Sequence, residues 1–512
     1  MKESESLLDV FRRRFLLEIV VFTSGALVMI YEIAGSRILA PYIGTSTYVW
    51  TSLIGVILAS LSVGYWIGGK IADQQPELKY LSGVMFLAAA MLSATILLHE
   101  FILTMLAVSS LGLEIKSVIA ALILFAPASV LFGFVTPYAI KLKMLSIENA
   151  GQTVGRLSAL STVGSILGTF TAGFFLLPFV GSLRTLYLIA GLLLLLSILL
   201  APFKLTITNL FVILLFLSAI GANEFYRFAL FQTIGLRDFD TQYSRIRVFR
   251  STDKKTNKPI TALTIDPLST QSAIFADSDD LVFDYTKYYH LLRHFKPKFQ
   301  QTLMIGGAGY SFPKDYLQKY QNAALDVVEI DPQMTEIARH YFRLQDNPRL
   351  KIIHQDGRVF LNQSPDEKYD AVLLDAYNSL YSIPFQLTTI EAVRRLDKIL
   401  KPDGIVILNT ISALKGSGSL FLQAEYKTFA HVFPTIYLFK VKLEQPADVP
   451  QNVIIVACKS NCPAPTNGAD EETVNLLENY YDEPLDLTMP ALTDDLAPVE
   501  YYNSLAQSAS RR

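Results

Sequence analysis

A glycine-rich turn, with an acidic residue twenty positions beyond it, gives the first indication of chemistry in this sequence. The run TLMIGGAG combines a strand-like apolar stretch with Gly306, Gly307 and Gly309. Glycines at such a turn let backbone N–H groups approach a ligand, because no side chain stands in the way. A second apolar run, LDVVEID, places Glu329 at the spacing at which an acidic residue binds ribose hydroxyls.

Two further acids follow strand-like runs. IIHQDGRVFL places Asp356 and Gly357 after a third run, and YDAVLLDAY places Asp375 after a fourth. Because parallel strands end at the same edge of a sheet, we expect the turn and the acids to line one crevice. Any one of these acids could instead cap the helix that follows it, but the ordered set favours a crevice.

These residues need a sheet to position them. From residue 301 onwards, strand-length apolar runs alternate with helical stretches, which predicts βαβ units and an α/β fold with a parallel sheet. Residues 223–300 carry shorter β-type runs and predict a small β-domain and linker. The domain predictions are a helical membrane part at 1–222, the small β-domain, a catalytic domain at 301–463 and a C-terminal segment at 464–512.

Composition separates the chain into two parts. The 512 residues are 51% hydrophobic and have a mean hydropathy of +0.35. Charged residues make up about 8% of residues 15–222 and about 23% of residues 223–512. This contrast excludes a purely soluble enzyme and a purely transmembrane transporter. The net charge of −2 provides no basic footprint, so nucleic acid is not an expected partner.

Apolar runs of about 20 residues, the length that crosses a bilayer as a helix, recur in the first part. Seven membrane spans are predicted, near residues 15–35, 48–69, 80–98, 117–139, 157–181, 184–201 and 205–222. A shorter run at 101–112 is either amphipathic or re-entrant. Small residues in SLSVGYWIGGK and STVGSILGTFTAG predict close helix packing.

Basic residues predict the orientation of the bundle. They concentrate at Arg12–Arg14 and in alternate loops, so the N-terminus is expected in the cytosol of a multi-pass cell membrane protein. An odd number of spans would export the second part. We expect the second part to lie in the cytosol, which requires the run at 101–112 to cross or one span to be re-entrant.

Acidic residues within the first span are costly at membrane depth. Glu18 and Glu32 serve either as polar packing contacts or as part of a substrate or ion path, and Arg37 is a candidate partner for Glu32. Elsewhere, Cys458 and Cys462 form neither a disulfide framework nor a zinc site, and we expect two surface thiols. The six histidines show no metal-binding spacing, so no metal is expected.

The ordered motifs IGGAG, VVEID, QDGRVFL, LLDAYNS and LKPDGIVILN resemble the polyamine aminopropyltransferases, or spermidine synthases, which have the S-adenosylmethionine methyltransferase type of Rossmann-like fold. The first part resembles the membrane-fused branch of that family through SGALVMIYEIAGSRILAPYIGTSTYVW and GYWIGGKIAD. TQYSRIRV resembles the small β-domain before the catalytic fold, and LTDDLAPVEYY resembles the C-terminal segment of that branch.

The resemblance implies a role for each matching residue. The cofactor contacts would be the glycines of the turn, Glu329 at the ribose, Asp356 at the adenine amine and the adjoining Gly357. Asp375 would be the first acid of the catalytic loop and would also lie at the cofactor. The remaining candidates are Gln271 for the cofactor, Tyr289, His290 and Tyr377 for the substrate, and Tyr377 and Asn378 in the catalytic loop.

Two positions depart from the family pattern. Gly309 stands where the glycine turn normally has an aspartate, and Asn378 replaces the second aspartate of the catalytic loop. Neither residue supplies a carboxylate, so Asp375 is left as the candidate base for an attacking amine.

Three functions stay open at this point. The first is a membrane-bound transferase that moves an aminopropyl group from decarboxylated S-adenosylmethionine to an amine such as putrescine. The second is a methyltransferase that uses S-adenosylmethionine on a lipid or another membrane-presented substrate. The third is a transport or sensor protein that binds a nucleoside or polyamine without catalysis. A homodimer is a further expectation.

Overall fold

The computed structural model describes residues 7–509 except 145, 147–148, 202–205, 267–268, 377–382 and 469. Within it the chain forms two compact units. The first consists of Met1–Thr233 together with Asp240–Ser244, and the second of Ile234–Phe239 together with Arg245–Arg512.

The first unit is helical. Its helices are α1 (Leu7–Ile43), α2 (Thr47–Gln74), α3 (Leu78–Val108), α4 (Leu113–Leu124), α5 (Ala126–Lys143), α6 (Ala150–Thr171), α7 (Ser182–Leu200) and α8 (Ile207–Ile234). A π-helical stretch at Ala172–Val180 continues α6. Within the described residues, six helices are long and apolar enough to cross a membrane, and α4 with α5, which are bent by 54°, would make a seventh span if the two are one crossing.

The seven predicted spans correspond to these helices, but the doubtful run does not form one of its own. Residues 101–108 continue α3, and α4 begins at Leu113. Residues 101–112 therefore form no separate helix, because most of them belong to α3, which is itself a candidate span. The expected close packing is present: at Gly164 and Gly168 of α6, an added side chain would overlap the carbonyl oxygens of Phe22 and Ala26 in α1.

Two polar clusters mark opposite ends of α1. Near its start, the Glu18 carboxylate binds Lys143, at the end of α5, and lies 3.0 Å from Arg156 Nη2 in α6. Near its other end, Arg37 donates to Thr241 and Tyr243 carbonyl oxygens and lies 3.3 Å from Asp240 Oδ1.

Arg37 therefore pairs with the segment that follows α8, and not with Glu32 as expected. Asp240 also accepts from the backbone N–H of Ser182, at the start of α7, at 2.6 Å. Nineteen helical residues separate Glu18 from Arg37, which is about 28 Å, close to the thickness of the hydrocarbon core.

These contacts determine the parity of the bundle. Lys143, the last residue of α5, binds Glu18 near the start of α1, so both lie at the same face of the bundle. Helices α1, α2 and α3 each cross the bundle once, and α4 and α5 together make the fourth traverse that returns to this face. Ser182 and Asp240 lie at the face of Arg37, so α6 ends there, and α8 also ends there after α7 has returned. Seven traverses place Glu18 and Asp240 at opposite faces of the helical unit, whereas the predicted cytosolic catalytic domain requires an even number of crossings.

The second unit contains two sheets. A four-stranded antiparallel sheet has the order β1 (Arg237–Asp240), β2 (Arg245–Thr252), β3 (Pro259–Thr264) and β4 (Ser272–Phe275). A seven-stranded sheet has the order β10-β11-β9-β8-β5-β6-β7. Its strands are β5 (Gln301–Ile305), β6 (Ala324–Glu329), β7 (Leu350–His354), β8 (Tyr369–Leu374), β9 (Leu400–Ser412), β10 (Thr435–Lys440) and β11 (Gln451–Cys458).

Helices connect these strands. They are α9 (Asp284–Lys287), α10 (Leu292–Phe295), α11 (Ser311–Lys319), α12 (Pro332–Tyr341), α13 (Gly357–Gln363), α14 (Ile390–Ile399), α15 (Leu420–Ala430), α16 (Glu471–Leu477) and α17 (Val499–Ala509). Short 3₁₀ turns lie at Tyr288–Leu291, Phe385–Leu387 and Gly416–Ser419. Strands β5 to β9 pair in parallel, as predicted, and β10 and β11 add an antiparallel edge.

The apolar strand runs follow from burial of the large sheet on both faces. Met304 packs into one core, while its neighbours Leu303 and Ile305 pack into the other. Parallel strands covered on both sides are apolar throughout instead of alternating with polar residues. The sheet order reverses between β5 and β8, and ligands of open α/β sheets bind at such a switch point.

The cysteine prediction was wrong. Cys458, at the end of β11, is 1% exposed and forms a disulfide with Cys462. Cys458 ends a mostly buried strand and packs into the core, and the turn after the strand brings Cys462 back to it.

Candidate active site

The glycine turn leaves β5 at the switch point of the sheet. Gly306 has a φ of +100°, and a side chain there would overlap the carbonyl group of Asp375. Glycine is required for both reasons, since L-residues rarely adopt this backbone conformation and the two strand ends are in contact. Asp375 is held in place by its own N–H, which donates to the Ile305 carbonyl oxygen at 2.9 Å.

Glu329, at the end of β6, binds the turn itself. Its Oε2 accepts from the N–H groups of Gly307 and Ala308 at 2.9 and 3.1 Å, and its Oε1 accepts from Asp331 N–H at 3.0 Å. Burial raises the pKa of this carboxyl, while the three backbone donors act in the opposite direction. Glu329 thus lies at the predicted ribose position and also holds the glycine turn against β6.

Asp356, after β7, has a capping geometry. Its Oδ1 accepts from Arg358 and Val359 N–H groups at 2.9 and 3.0 Å, which makes it the N-cap of α13. A side chain on the neighbouring Gly357 would press against Ile305 of β5. Asp356 therefore caps α13, which was the alternative prediction for this residue, and it lies at the same sheet edge as the glycine turn.

Asp375, after β8, has a different set of partners. Its Oδ1 accepts from Asn409 Nδ2 at 3.0 Å, and its Oδ2 lies 3.3 Å from the Tyr285 hydroxyl. Burial raises the pKa of Asp375 to about 6, against the lowering effect of hydrogen bonds from Asn409, Tyr289 and Tyr285. A carboxyl that titrates near neutral pH suits a group that accepts a proton during catalysis.

Sequence reasoning missed three residues of this site. Tyr285 lies four positions before Tyr289, which is the spacing of one helical face and could have identified it. Asn409 ends the motif LKPDGIVILN, and its Oδ1 in turn accepts from Asn452 Nδ2 at 2.9 Å. Asn452 lies on the antiparallel strand β11, and no local sequence pattern could have predicted its contact with Asn409.

Tyr289 and His290 diverge although they are adjacent. The Tyr289 hydroxyl lies 3.5 Å from the Leu374 carbonyl oxygen, next to Asp375. His290 is fully buried, with Nε2 2.6 Å from Asp315 Oδ2 and Nδ1 2.7 Å from the Tyr320 hydroxyl. The structure therefore places Tyr289 at the crevice and His290 in a buried polar network away from it.

Gly309 lies against a filled wall. A side chain there would come within 2.8 Å of the Phe342 ring and would overlap Ser272, the first residue of β4. The absent aspartate thus has a steric reason, because Ser272 occupies the space. Gln271 precedes Ser272 and lines the same cleft, while Tyr377 and Asn378 lie outside the described residues.

A small open cleft, with a cavity volume of about 30 Å³, lies beside Asp375 and β4. Its wall is formed mainly by Gln271, Ser272, Phe283, Tyr285, Phe312 and Asp375. Within the part of the chain that the structure describes, no group of three His, Cys, Asp or Glu side chains is arranged to hold a metal ion.

A parallel sheet with a glycine turn and strand-end acids at its switch point is the arrangement of Rossmann-like nucleotide-binding folds. Residues 283–444 match the family model described as the spermine/spermidine synthase domain. Residues 283–444 therefore form a spermine/spermidine synthase domain of a transferase, which confirms the resemblance predicted from the motifs of the second part.

Individual relatives agree with this assignment. A polyamine aminopropyltransferase of Vibrio vulnificus (strain CMCP6) is 32% identical over 178 residues, which cover 34% of this chain and 58% of that protein. Polyamine aminopropyltransferase 1 of Streptomyces coelicolor is 25% identical over 454 residues, covering 83% of this chain and 79% of that protein. This chain thus spans less than two thirds of the length of the Vibrio relative.

Among solved structures, a probable spermidine synthase from Corynebacterium glutamicum ATCC 13032 is 18% identical. The superposition covers 53% of this chain and 94% of that chain, with a TM-score of 0.40.

Proposed function

We propose that this protein is a membrane-bound transferase that moves an aminopropyl group from decarboxylated S-adenosylmethionine to an amine. The observation that carries the proposal is Asp375, a carboxyl with a pKa raised to about 6, in contact with the glycine turn at the switch point. An acid at this place and with this pKa can accept the proton that an ammonium must lose before its nitrogen can act as a nucleophile.

The transfer step accounts for each bond and proton. The neutral amine nitrogen attacks the methylene carbon bonded to the sulfonium, the new C–N bond forms, and the C–S bond breaks with its electron pair passing to sulfur. The products are the N-aminopropyl amine and 5′-methylthioadenosine. A free alkylamine has a pKa of about 10.4, so it arrives protonated, and Asp375 is the group that takes the proton.

The residues present fit an adenosyl substrate. Glu329 would turn a carboxylate oxygen toward the ribose, and Asp356 would reach the adenine amine from the end of β7. The glycine turn would provide the backbone approach, with Gly309 at its far end and Gln271 across the cleft. Tyr289 would shape the amine site beside Asp375, as would Tyr377 and Asn378 by their sequence positions.

A second candidate function is methyl transfer from S-adenosylmethionine to a lipid or another membrane-presented substrate. The observation that favours it is the loss of carboxylates at Gly309 and Asn378, since those acids would bind a cationic aminopropyl group. Both candidates share the adenosyl crevice and differ in the group that leaves the sulfonium.

Product analysis distinguishes the two candidates. The full chain, purified in detergent, is incubated separately with each of the two donors and a mixture of amines that includes putrescine, and products are identified by mass. We expect aminopropylated amine and methylthioadenosine from the decarboxylated donor. Methylated product alone would overturn the proposal in favour of the second candidate.

For localisation, we propose that the helical unit is inserted in the membrane with its N-terminus in the cytosol and that the chain leaves the bundle on the opposite side. The seven traverses support this proposal, as does the concentration of basic residues at the face of Glu18. The Cys458–Cys462 disulfide also supports it, because disulfides persist mainly in oxidising compartments. This replaces the expected cytosolic catalytic domain.

Reporter fusions at Arg512 test on which side of the membrane the second unit lies. Alkaline phosphatase fused there should be active, and green fluorescent protein exported by the same route should be dark. The opposite pair of results would restore the cytosolic assignment. An exported domain also requires an adenosyl donor at that face of the membrane. A homodimer stays a prediction, tested by the mass of the purified protein.

A further inference from the structure

The C-terminal motif LTDDLAPVEYY lies at residues 492–502, beyond the residues that match the family model, and yet it binds the helix that Asp356 caps. Asp494 Oδ1 and Oδ2 accept from Arg358 Nη1 and Nη2 at 3.1 and 2.6 Å. Arg358 is the second residue of α13, and its backbone N–H donates to Asp356 Oδ1 at 2.9 Å. Two bonds between an arginine and a carboxylate fix the geometry of both groups. The motif therefore reaches the predicted adenine contact through one side chain.

The Arg358 guanidinium joins α13 to two further segments. Its Nη1 donates to the Gln386 carbonyl oxygen, in the 3₁₀ turn before α14, at 2.8 Å and to Thr389 Oγ1, at the N-cap of α14, at 3.0 Å. Thr389 Oγ1 donates in turn to Asp494 Oδ1 at 2.6 Å. Although burial acts to raise the pKa of Asp494, the bonds from Thr389 and Arg358 hold that pKa below its usual range. The pair is therefore ionised at neutral pH.

Helix α13 depends on such anchors because it is weak by itself. It has seven residues and begins with Gly357, whereas isolated helices shorter than about 12–15 residues are marginal in water. At its other end, Arg395 donates to a carbonyl oxygen of the last turn at 2.9 Å and to Asp366 Oδ1 at 2.8 Å. Each end of α13 is thus held by one arginine and one aspartate, and it is the pair with Asp494 that adjoins Asp356.

Asp356 uses one of its carboxylate oxygens to cap α13. Oδ1 accepts from the N–H groups of Arg358 and Val359, and among the described residues no group donates to Oδ2. A shift of the first turn would change where Oδ2 points, and a hydrogen bond weakens steeply with misalignment. On the basis of the proposed function, we propose that Asp494 is a positioning residue for the adenosyl donor, which acts through Arg358 to aim Asp356 at the adenine amine.

The motif is also held by contacts that do not involve the Asp494 side chain. The Leu492 carbonyl oxygen accepts from Ile390 N–H at 2.8 Å, and Leu492 N–H donates to Thr428 Oγ1 at 2.8 Å. Leu492 and Tyr502 lie in one buried apolar cluster. Loss of the Asp494 carboxylate should therefore leave the motif in place and weaken its hold on α13.

Binding of 5′-methylthioadenosine to Asp494→Asn tests the proposal. With the full chain in detergent, calorimetry should give a dissociation constant about fivefold larger than that of the unsubstituted protein, which is the upper range for a partly exposed ion pair. With decarboxylated S-adenosylmethionine and putrescine, the KM of the donor should rise by the same factor while kcat stays within about twofold. A general loss of structure would lower kcat as well. An unchanged dissociation constant would overturn the inference.

The other aspartate of α13 provides the matched control. The side chains of Asp494 and Asp366 are 44% and 64% exposed, and each is paired with an arginine that binds this helix. Asp366→Asn removes the pair at the end away from Asp356, so the affinity for 5′-methylthioadenosine should not change. Equal losses of affinity in the two variants would assign the effect to the stability of α13 and would contradict the proposal.

A double substitution tests the route through Arg358. In the Arg358→Met protein, the further change Asp494→Asn should not weaken binding any more, because the acid has already lost its partner. Two factors that multiply would show that Asp494 acts independently of Arg358, which would also overturn the proposal.

The proposed function fails in a different way. In that case the unsubstituted protein would neither bind 5′-methylthioadenosine nor give product with either donor. Failure of the positioning role alone would leave binding and product intact in the unsubstituted protein, with equal affinity in Asp494→Asn.

Discussion

Two carboxyls end strands on either side of β5, and their hydrogen-bond partners differ. Glu329, after β6, accepts from three backbone N–H groups. Among the described residues, the partners of the Asp375 carboxylate, after β8, are side chains, namely the Asn409 amide and the hydroxyls of Tyr285 and Tyr289. A backbone N–H can only donate, whereas a tyrosine hydroxyl can also accept.

This difference suggests different roles: Glu329 holds the glycine turn through hydrogen bonds, whereas Asp375 is suited to exchange a proton. If Glu329 were protonated, its new O–H hydrogen would face a backbone N–H group that can only donate. Glu329 is therefore suited to stay ionised and to accept hydrogen bonds from the glycine turn and from a ribose. Protonated Asp375 could donate to Tyr285, so its surroundings tolerate both protonation states. The same charge-removing substitution should therefore have different consequences at the two positions.

The largest expected effect is on catalysis at Asp375. Asp375→Asn keeps the shape and removes the base, and a general base contributes about 10²–10⁴-fold to rate. We expect kcat to fall by that factor while methylthioadenosine still binds, as measured by product mass and calorimetry. Asp346→Asn, at an 85% exposed carboxyl, is the matched control and should keep full activity. Retained activity in Asp375→Asn would exclude this residue as the base.

Stability should change in the opposite direction at Asp375. Its pKa of about 6 in the folded protein exceeds the value of about 3.9 in an unfolded chain, so ionisation opposes folding as the pH rises from about 4 to about 6. Asp375→Asn should stabilise the second unit by about 2 kcal/mol at pH 7.5, allowing for partial solvent access.

Thermal unfolding followed by circular dichroism at pH 4 and pH 7.5 checks this stability effect. The advantage of Asp375→Asn over the unsubstituted protein should disappear at pH 4, where both side chains are neutral. An advantage that is equal at the two pH values would assign the effect to packing and not to the charge.

At Glu329 the same type of substitution should destabilise. Glu329→Gln turns one acceptor oxygen into an amide that faces a backbone N–H, and an unsatisfied buried donor costs about 1–3 kcal/mol. Unfolding at pH 7.5 should show this loss, and calorimetry should show weaker methylthioadenosine binding. Glu336→Gln, on the exposed face of α12, is the control. A gain in stability would mean that the backbone bonds do not hold the turn.

The smallest expected effect is on the pH profile. Activity requires ionised Asp375, so kcat/KM should rise with pH through about 6. Asn409 lowers the pKa of Asp375 by donating a hydrogen bond to Oδ1. Asn409→Ala should therefore raise the pH at which kcat/KM increases by up to about one unit. Asn322→Ala, at an exposed residue, is the control and should leave the pH dependence of kcat/KM unchanged. An unchanged pH dependence in Asn409→Ala would mean that other groups set the pKa.

Much of the sheet unit could be predicted because its signals are local. Apolar runs, a glycine turn and strand-end acids occur in chain order, and parallel strands necessarily present their ends at one edge. The sequence could not predict those positions of the site that depend on contacts between distant parts of the chain. His290 and Tyr289 are neighbours in sequence and diverge on a 3₁₀ turn, while Asn452 reaches the site through β11 and β9.

The helical unit shows the same limit. Its seven apolar segments were predicted, because the length that crosses a bilayer is a local property. Whether a segment crosses depends on what its ends contact. The partners of Glu18 and Arg37 lie more than 100 residues away in the chain, and only the packed bundle shows that these two residues mark opposite faces.

The sequence by itself determined the division into an apolar and a charged part, the order of strands and helices, and the identity of the acids. Each of these follows from residue type and spacing over a few turns of chain. The tertiary structure decided which acid holds the turn and which one titrates near pH 6, that Ser272 excludes a side chain at Gly309, and that Cys458 meets Cys462. These properties depend on burial and on partners brought together by folding, and a pKa or a steric exclusion has no value until those neighbours are in place.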